Sequence, residues 1–311
     1  MIQIQGLTKR FGRLTAVDNL TLEIGEGEIF GFIGPNGAGK STTMKILAGL
    51  LKPDGGKATI AGLDVARDGP RIRRILGYMP DFLGVYDDLT VDEYLQFFAA
   101  AFKIKRNKRA AIVDSVLELT DLTDKRRAMV SSLSRGMQQR LGIARVLIHE
   151  PKVLLLDEPA SGLDPRARIE MRSLLTELGK MGKVLMVSSH ILTELAEMCT
   201  SIGIIERGKL LYSGSIQDAY DRVSAGERIT VQLEPGSKAA ADVAQLLQQD
   251  ERVAQVTPQD DCLMVELVPG RHGHHFIIEA LVAGGAKIAA FTPQQVKLED
   301  AFLKLTKGKV Q

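Results

Sequence analysis

The run GPNGAGKST at positions 34–42 has the residue types and the spacing of a phosphate-binding loop. Four residues separate Gly34 from the consecutive Gly39, Lys40 and Ser41. In this P-loop spacing, main-chain amides surround phosphate oxygens, the lysine reaches the outer phosphates, and the hydroxyl can ligate Mg²⁺. The run therefore predicts a nucleoside triphosphate site, and an ordinary glycine-rich turn is the alternative interpretation.

A pair of acids could complete such a site. The apolar run VLLLDEP contains Asp157 and Glu158 at its end. Asp157 can hold the hydration shell of Mg²⁺, and Glu158 can polarise a water for attack on a phosphate. The alternative is an ordinary apolar strand that ends in two acids before a turn.

The elements predicted around these residues place them at the ends of strands. Residues 29–33 have the pattern of a buried strand and residues 43–50 that of an amphipathic helix. The loop thus lies at a helix N-terminus, where free amides and the helix dipole favour anions. The runs at 152–157 and 183–189 are almost entirely apolar, as in strands buried on both faces of a parallel sheet. Helices between them predict a wound α/β core.

The rest of the first two thirds of the chain mixes strands with a helical insertion. Further strands are predicted at 20–24 and 57–61, and a hairpin at 202–214. From residue 68 the spacing of apolar residues becomes helical and predicts an inserted helical subdomain at about 82–150.

A second pattern begins near residue 223. Its order of elements is strand, helix, strand, strand, helix, strand, which predicts a small ferredoxin-like unit. We therefore predict domains at 1–222 and 223–311. The predicted elements are strands at 228–233, 253–256, 262–268 and 287–291, and helices at 237–249, 276–283 and 298–305.

The composition is that of a globular protein with no overall field for nucleic acid. The 311 residues are 45% hydrophobic, and 40 basic against 38 acidic side chains give a formal net charge of +2. Cys199 and Cys262 lie far apart, which favours free thiols in a reducing cytosol. The sequence has neither the pattern of a secretion signal nor a window of about 18 apolar residues, so a membrane role requires a partner chain.

The run LSRGMQQRLGIARVLIHEP at 133–151 predicts a helix that Ser134 caps, with one apolar face. A capped core helix is its simplest interpretation. Just before the acidic strand, however, it resembles the LSGGQ-like motif of the ATP-binding subunits of ABC transporters. Arg135 stands where that motif has a glycine and Met137 where it has a glutamine. Ser134 and Gly136, the positions expected to contact the γ-phosphate of ATP, are kept.

Three further motifs follow the order of the same family, and the resemblance covers residues 1 to about 215. SGLD, which ends in Asp164, resembles the D-loop, and His190 in VSSHIL resembles the switch histidine that holds the γ-phosphate. Phe11 in KRFG matches the aromatic residue that stacks on adenine. Each motif is weak alone, but the ordered set is specific.

One acidic residue departs from the pattern of the family. Asp81 follows GYMP, where the family has its Q-loop glutamine. A carboxylate can still reach Mg²⁺ or its waters, but it is shorter and adds negative charge near the γ-phosphate. Asp81 and the run VKLEDAFLKLTKG at 296–308 resemble the exporter branch of drug-resistance and sodium-extrusion subunits.

By this resemblance, the fold is a P-loop ABC ATPase domain with a RecA-like core, an N-terminal antiparallel β subdomain and an inserted helical subdomain, followed by a small α+β domain. The implied cofactors are ATP and Mg²⁺. The implied catalytic residues are Lys40, Asp81, Glu158 and His190. The implied metal contacts are Ser41, Asp81 and Asp157. The implied ATP contacts are Phe11, Val17, Asn36, Gly37, Ala38, Gly39, Lys40, Ser41, Thr42, Ser134, Gly136 and Asp164.

The resemblance also implies partners. A second copy, or a paralogous ATPase, would close its Ser134 and Gly136 over the γ-phosphate in a head-to-tail dimer. A separate integral membrane permease would export a small molecule or lipid, with this chain at the cytoplasmic face of the cell membrane and no nucleic acid bound.

Two other function classes stay open from the sequence. A soluble ABC-type ATPase acting on ribosomes or DNA usually carries two cassettes, long coiled coils or zinc modules, and this sequence shows none of them. An unrelated P-loop kinase or GTPase would leave Ser134, Asp164 and His190 without a role.

Overall fold

The computed structural model describes residues 1–82, 84, 86, 88–218, 228–237, 240–268 and 273–294. The chain divides into two compact units, Met1–Ile216 and Gln217–Gln311. No helix of this described part is long and apolar enough to cross a membrane.

Two sheets form the first unit. Its strands are β1 (Ile2–Phe11), β2 (Leu14–Ile24), β3 (Ile29–Ile33), β4 (Gly55–Ile60), β5 (Leu63–Asp64), β6 (Leu76–Met79), β7 (Val153–Asp157), β8 (Val184–Ser189), β9 (Ser201–Glu206) and β10 (Lys209–Ser215). An antiparallel sheet has the order β2-β1-β4-β5. The second sheet has the order β10-β9-β3-β8-β7-β6 and is parallel except for β10.

The parallel sheet positions the candidate chemistry. Every residue of β3, β7 and β8 is buried, as the continuous apolar runs predict. These three strands are neighbours in the order β3-β8-β7, so their carboxyl ends meet at one edge of the sheet. The P-loop, the acidic pair and His190 each follow one of these ends.

Among the described residues of the first unit, seven α-helices lie between its strands. They are α1 (Lys40–Leu47), α2 (Gly69–Ile72), α3 (Val91–Ala101), α4 (Arg106–Leu119), α5 (Arg135–Leu147), α6 (Pro165–Lys180) and α7 (Leu192–Ala196). Helices α3, α4 and α5 follow one another between β6 and β7 and form the helical insertion. A capping box fixes the start of α3, since the side chains of Thr90 and Glu93 each accept a hydrogen bond from the other's main-chain amide.

Several sequence-based boundaries were wrong, among them those of three elements in the first unit. Strand β6 lies within the segment predicted to be helical, because four residues are too few to show a period of two and this edge strand is specified by its parallel pairing with β7. Strand β2 begins at Leu14 rather than at residue 20, since register shifts in its pairing with β1 interrupt the alternation. Helix α1 covers 40–47 rather than 43–50.

The second unit contains β11 (Arg228–Leu233), α8 (Ala240–Leu247), β12 (Val253–Gln259), β13 (Cys262–Leu267), α9 (His275–Ala283) and β14 (Ile288–Gln294). Its sheet has the order β12-β13-β11-β14, and every neighbouring pair is antiparallel. This order is the ferredoxin-like arrangement that the sequence predicts. The last predicted helix, at 298–305, lies outside the described residues.

Candidate nucleotide-binding site

The P-loop connects β3 to α1, and close packing restricts two of its positions to glycine. A Cβ on Gly39 would lie 2.4 Å from the carbonyl oxygen of Ala16, and Gly39 has a φ of +111°. A Cβ on Gly34 would lie 2.3 Å from the carbonyl oxygen of Ile205. Any side chain here would displace the loop, so the glycines keep the main-chain amides in place and accessible.

Lys40 lies inside the loop as a buried cation. Its side chain is 6% exposed, and Nζ donates hydrogen bonds to the carbonyl oxygens of Gly34 at 2.6 Å and Pro35 at 3.3 Å. The same Nζ lies 3.3 Å from Oε1 of Glu158. A buried charge is tolerated only with such partners, and the ammonium is held where phosphate oxygens would approach.

A hydroxyl of β8 holds the acidic pair at the end of β7. Ser188 Oγ donates to Asp157 Oδ1 at 2.6 Å and accepts from the main-chain amide of Glu158 at 2.9 Å. Glu158 has a φ of +50°, an uncommon conformation for a residue other than glycine. This local strain turns the carboxylate of Glu158 towards Lys40, and backbone strain of this kind concentrates at functional sites.

His190 contacts the same carboxylate. Its Nδ1 lies 2.9 Å from Oε2 of Glu158, and its side chain is 43% exposed. An ionised carboxylate has no hydrogen to give, so Nδ1 must be the donor. Glu158 therefore bridges Lys40 and His190, and it is the centre of the charged group at this edge of the sheet.

Asp81 adds a third carboxylate near this group. Desolvation raises the pKa of Asp81 above its ordinary value, and the charges of Asp157 and Glu158 raise it further. Arg135 and His190 oppose this rise in the pKa because they are the nearby cationic groups. The accumulated negative charge is suited to a divalent cation.

The other predicted contacts of the P-loop and of adenine have different exposures. Asn36 and Gly37 are exposed, Ala38 is buried, and Ser41 and Thr42 are half-buried in the first turn of α1. Phe11 is 49% exposed, with Lys9 Nζ 5.4 Å from its ring centroid, so the ring is accessible for stacking. Val17 is fully buried in the core, and its predicted contact with ATP stays a prediction.

The remaining predicted residues lie in a second group. Ser134 is the exposed N-cap of α5 and accepts from the amide of Met137 at 3.3 Å, and Gly136 lies in the first turn of the same helix. Asp164 is the exposed N-cap of α6 and accepts from the amide of Ala167 at 2.9 Å. Among the described residues, no hydrogen bond or ion pair joins this group to the Lys40, Glu158 and His190 group.

Two residues of the site were not predicted from the sequence. Ser188 orients both acids, and the signal for it was a polar pair at the end of the apolar run KVLMVSS. Tyr78 on β6 has a buried hydroxyl without a partner among the described residues. Burial and the charges of Asp157 and Asp81 raise the pKa of Tyr78 far above its ordinary value.

Comparisons with known proteins agree with these motifs. The profile of the ABC transporter family matches residues 17–161. The chain is 36% identical over 312 residues to the bacitracin transport ATP-binding protein BcrA of Bacillus licheniformis, which covers 99% of this chain and 98% of that protein. It is 38% identical over 214 residues to Nod factor export ATP-binding protein I of Burkholderia pseudomallei, which covers 69% of this chain and 70% of that protein.

The fold is also similar to solved ATP-binding cassettes. A dimeric structure of the cassette MJ0796 in a post-hydrolysis state, bound to ADP and Pi, matches with a TM-score of 0.63 and 26% identity. That match covers 70% of this chain and 99% of the cassette. The predicted fold class and ATPase activity are thereby confirmed, and nothing in the matches supports the ribosome or DNA alternative. The chain belongs to the ATP-binding, ATP-hydrolysing subunits of ABC transporters.

Proposed function

We propose that this chain drives export through a separate membrane permease, and that two copies share each ATP between them. The observation that carries the proposal is the division of the predicted ATP contacts into two groups within one chain. Lys40, Glu158 and His190 converge, whereas Ser134 and Asp164 are exposed and unconnected to them among the described residues. A head-to-tail dimer would bring one group of each copy against the other group of its partner.

Lys40 and Glu158 exchange partners in the proposed cycle. In the structure, Nζ of Lys40 and Oε1 of Glu158 form an ion pair at 3.3 Å. The phosphates of ATP offer Lys40 a stronger partner, so binding would release the Glu158 carboxylate. The freed carboxylate can then accept a proton from the attacking water, with Ser188 and the strained turn holding its position.

In this scheme, His190 must donate a hydrogen bond from Nε2 to a phosphate oxygen. Because Nδ1 donates to Glu158, Nε2 can donate to a phosphate oxygen only when the ring is protonated. His190 would then supply positive charge to the γ-phosphate beside Lys40.

Mg²⁺ fits the donor set. Asp157 uses one carboxylate oxygen for Ser188 and has no second hydrogen-bond partner in the described part of the chain. Ser41 is a half-buried residue in the first turn of α1, directly after the P-loop lysine. No cluster of three metal-ligating side chains occurs among the described residues. Mg²⁺ in nucleotide sites is held by one or two protein groups plus phosphates, and it would neutralise phosphate charge. Asp157 and Ser41 would hold it, and Asp81 would contact its waters.

An exposed aromatic surface next to Asp81 is the proposed contact with the permease. Phe82 is 85% exposed, Tyr86 is 52% exposed and Phe97 is 49% exposed. The rings of Tyr86 and Phe97 pack edge to face, 5.5 Å apart. Exposed apolar patches on soluble domains commonly mark interaction sites. Docking there would place the chain at the cytoplasmic face of the membrane and would connect the permease directly to Asp81.

Complementation between two inactive variants tests the shared site. K40A removes the phosphate-binding cation, and S134R blocks the group offered to the partner. Neither variant should hydrolyse ATP alone, but an equal mixture should recover about a quarter of the wild-type rate, because half of the dimers are mixed and each holds one intact site of two. Retention of untagged S134R by affinity-tagged K40A measures subunit exchange. If exchange occurs and the two variants together stay inactive, the shared-site proposal is wrong.

A further inference from the structure

Arg135 lies flat against the main chain of another predicted motif of the same chain. A Cβ on Gly162 would lie 2.4 Å from Arg135 Cζ and 2.7 Å from each of its terminal nitrogens. Because these distances are nearly equal, the plane of the guanidinium faces the α-carbon of Gly162. Gly162 has a φ of +69° and lies within SGLD, between Glu158 and the start of α6.

A second close approach joins the same two segments. A Cβ on Gly136 would lie 3.1 Å from the Cβ of Ala167, in the first turn of α6. One turn further along α5, Arg140 lies 3.8 Å from Glu170 on α6. The first turns of α5 and α6 therefore pack against one another, and Arg135 extends this contact onto the loop that precedes α6.

The position of Arg135 is electrostatically unfavourable for its own helix. Arg135 is the first residue of α5, whose first turn contains no acid to offset the positive end of the helix dipole. Within the described residues, its guanidinium forms no ion pair. The charge of Arg135 acts instead on the carboxylate of Asp81, so this residue is directed to groups outside its own helix.

The loop under Arg135 is connected to Glu158. The amide of Ser161 donates to the carbonyl oxygen of Glu158 at 3.0 Å, and the amide of Leu163 donates to the carbonyl oxygen of Ala160 at 3.4 Å. Asp164 then caps α6. A displacement of the main chain at Gly162 is thus transmitted over one tight turn to the residue whose φ is already strained.

We propose that Arg135 is a positioning residue that couples the LSRGM segment to Glu158 of the same chain through Gly162. The inference rests on the proposed shared site, in which LSRGM closes on the ATP of the partner while Glu158 acts on the ATP of its own P-loop. Arg135 would then convey the closure of one site to the water-activating residue of the other. The planar guanidinium is required, since Cζ and both terminal nitrogens lie at nearly the same distance from the Cβ position of Gly162.

The contact can be tested without nucleotide, by urea unfolding in a double-mutant cycle. G162A adds a Cβ against the guanidinium, and R135G removes the guanidinium. The matched control is G182A, because Gly182 has a φ of +79° and a Cβ there would have no neighbour within 4 Å. In the wild-type background, G162A should lower the free energy of unfolding more than G182A does. In the R135G background, the two substitutions should lower it equally. If G162A is more destabilising than G182A by the same amount in both backgrounds, Arg135 does not contact Gly162.

Turnover tests the coupling. R135G should lower kcat about threefold to tenfold and change KM for ATP less than about twofold, because Arg135 is not a contact of the chain's own P-loop. Hydrogen exchange at residues 160–163 should be about threefold faster in R135G without nucleotide, a readout that needs no activity. R135K keeps the charge but not the plane and should resemble R135G.

Three results would overturn the coupling: an unchanged kcat in R135G, full recovery in R135K, or unchanged exchange at 160–163. Failure of the proposed function has a different signature. If the proposed function is wrong, the mixture of K40A and S134R will recover no ATPase activity. If only the coupling by Arg135 is wrong, that mixture will still recover activity.

Discussion

The two units of the chain differ in what they bury. The first unit buries Lys40, Asp157 and Glu158, which are 5%, 2% and 9% exposed. In the described part of the second unit, every buried side chain is apolar. Burying charge opposes folding unless the charges are paired, so the first unit gives up stability to keep reactive groups at one edge of its sheet. The described core of the second unit contains no buried charge that would require such pairing.

The largest predicted effect of a substitution in the first unit is the loss of ATP turnover when Glu158 is replaced. E158Q should lower ATP turnover at least about 100-fold, because the amide cannot accept the proton of the attacking water. Binding of ATP should persist, and the closed dimer should accumulate on a sizing column. E150Q is the matched control, since Glu150 is exposed and has a similar φ of +54°. Undiminished turnover in E158Q would remove Glu158 from the role of base.

A core substitution in the second unit should have the opposite signature. Leu263 on β13 is fully buried, so L263A should lower the free energy of unfolding of this unit by about 2–4 kcal/mol. The turnover of ATP per folded molecule should not change. L246A, at a position that is 46% exposed, should alter stability by less than about 0.5 kcal/mol. A loss of turnover in folded L263A would show that the two units are not functionally separate.

A smaller effect, on the KM for ATP, is expected for the exposed ring of Phe11 in the first unit. F11A should raise KM for ATP about fivefold through lost stacking on adenine, with little change in kcat or stability. L14A tests the same hairpin without the ring, because Leu14 pairs with Phe11 across β1 and β2 and is 66% exposed. Equal KM values for F11A and L14A would contradict the predicted adenine contact.

The smallest effect concerns pH. Burial lowers the pKa of His149, whose Nε2 lies 3.0 Å from the carbonyl oxygen of Leu76 and whose ring stacks on Phe102 at 4.0 Å. Because the folded pKa lies below the unfolded value of about 6.5, the stabilisation is complete above pH 6.5 and is lost as pH falls through the folded pKa.

The free energy of unfolding of the wild type should therefore decrease more steeply from pH 7.5 to pH 5 than that of H149F. The difference between the two proteins isolates His149, since the raised pKa values of Asp81 and Glu194 act in the opposite direction in both. Parallel pH profiles would show that His149 is not buried as a neutral ring.

The sequence indicated the charged residues of the candidate site more accurately than the boundaries of the helices and strands. Spacing alone located Lys40 and the acidic pair, because a loop between a buried strand and a helix has few other uses for glycine, lysine and hydroxyl side chains. It missed β6 because a strand of four residues has no visible period and is specified by its pairing with β7, a strand that is distant in the sequence. The ferredoxin-like order of the second unit was predictable, since its alternating patterns are regular and its connections are short.

What the sequence determined by itself was the family and the set of candidate site residues, since residue type and spacing along the chain carry that information directly. Only the tertiary structure decided which groups meet. The Lys40, Glu158 and His190 contacts join residues that are 32 or more positions apart, and the guanidinium of Arg135 reaches Gly162 from another helix. Such contacts depend on the order of strands in the sheet and on the packing of helices, which no local pattern specifies.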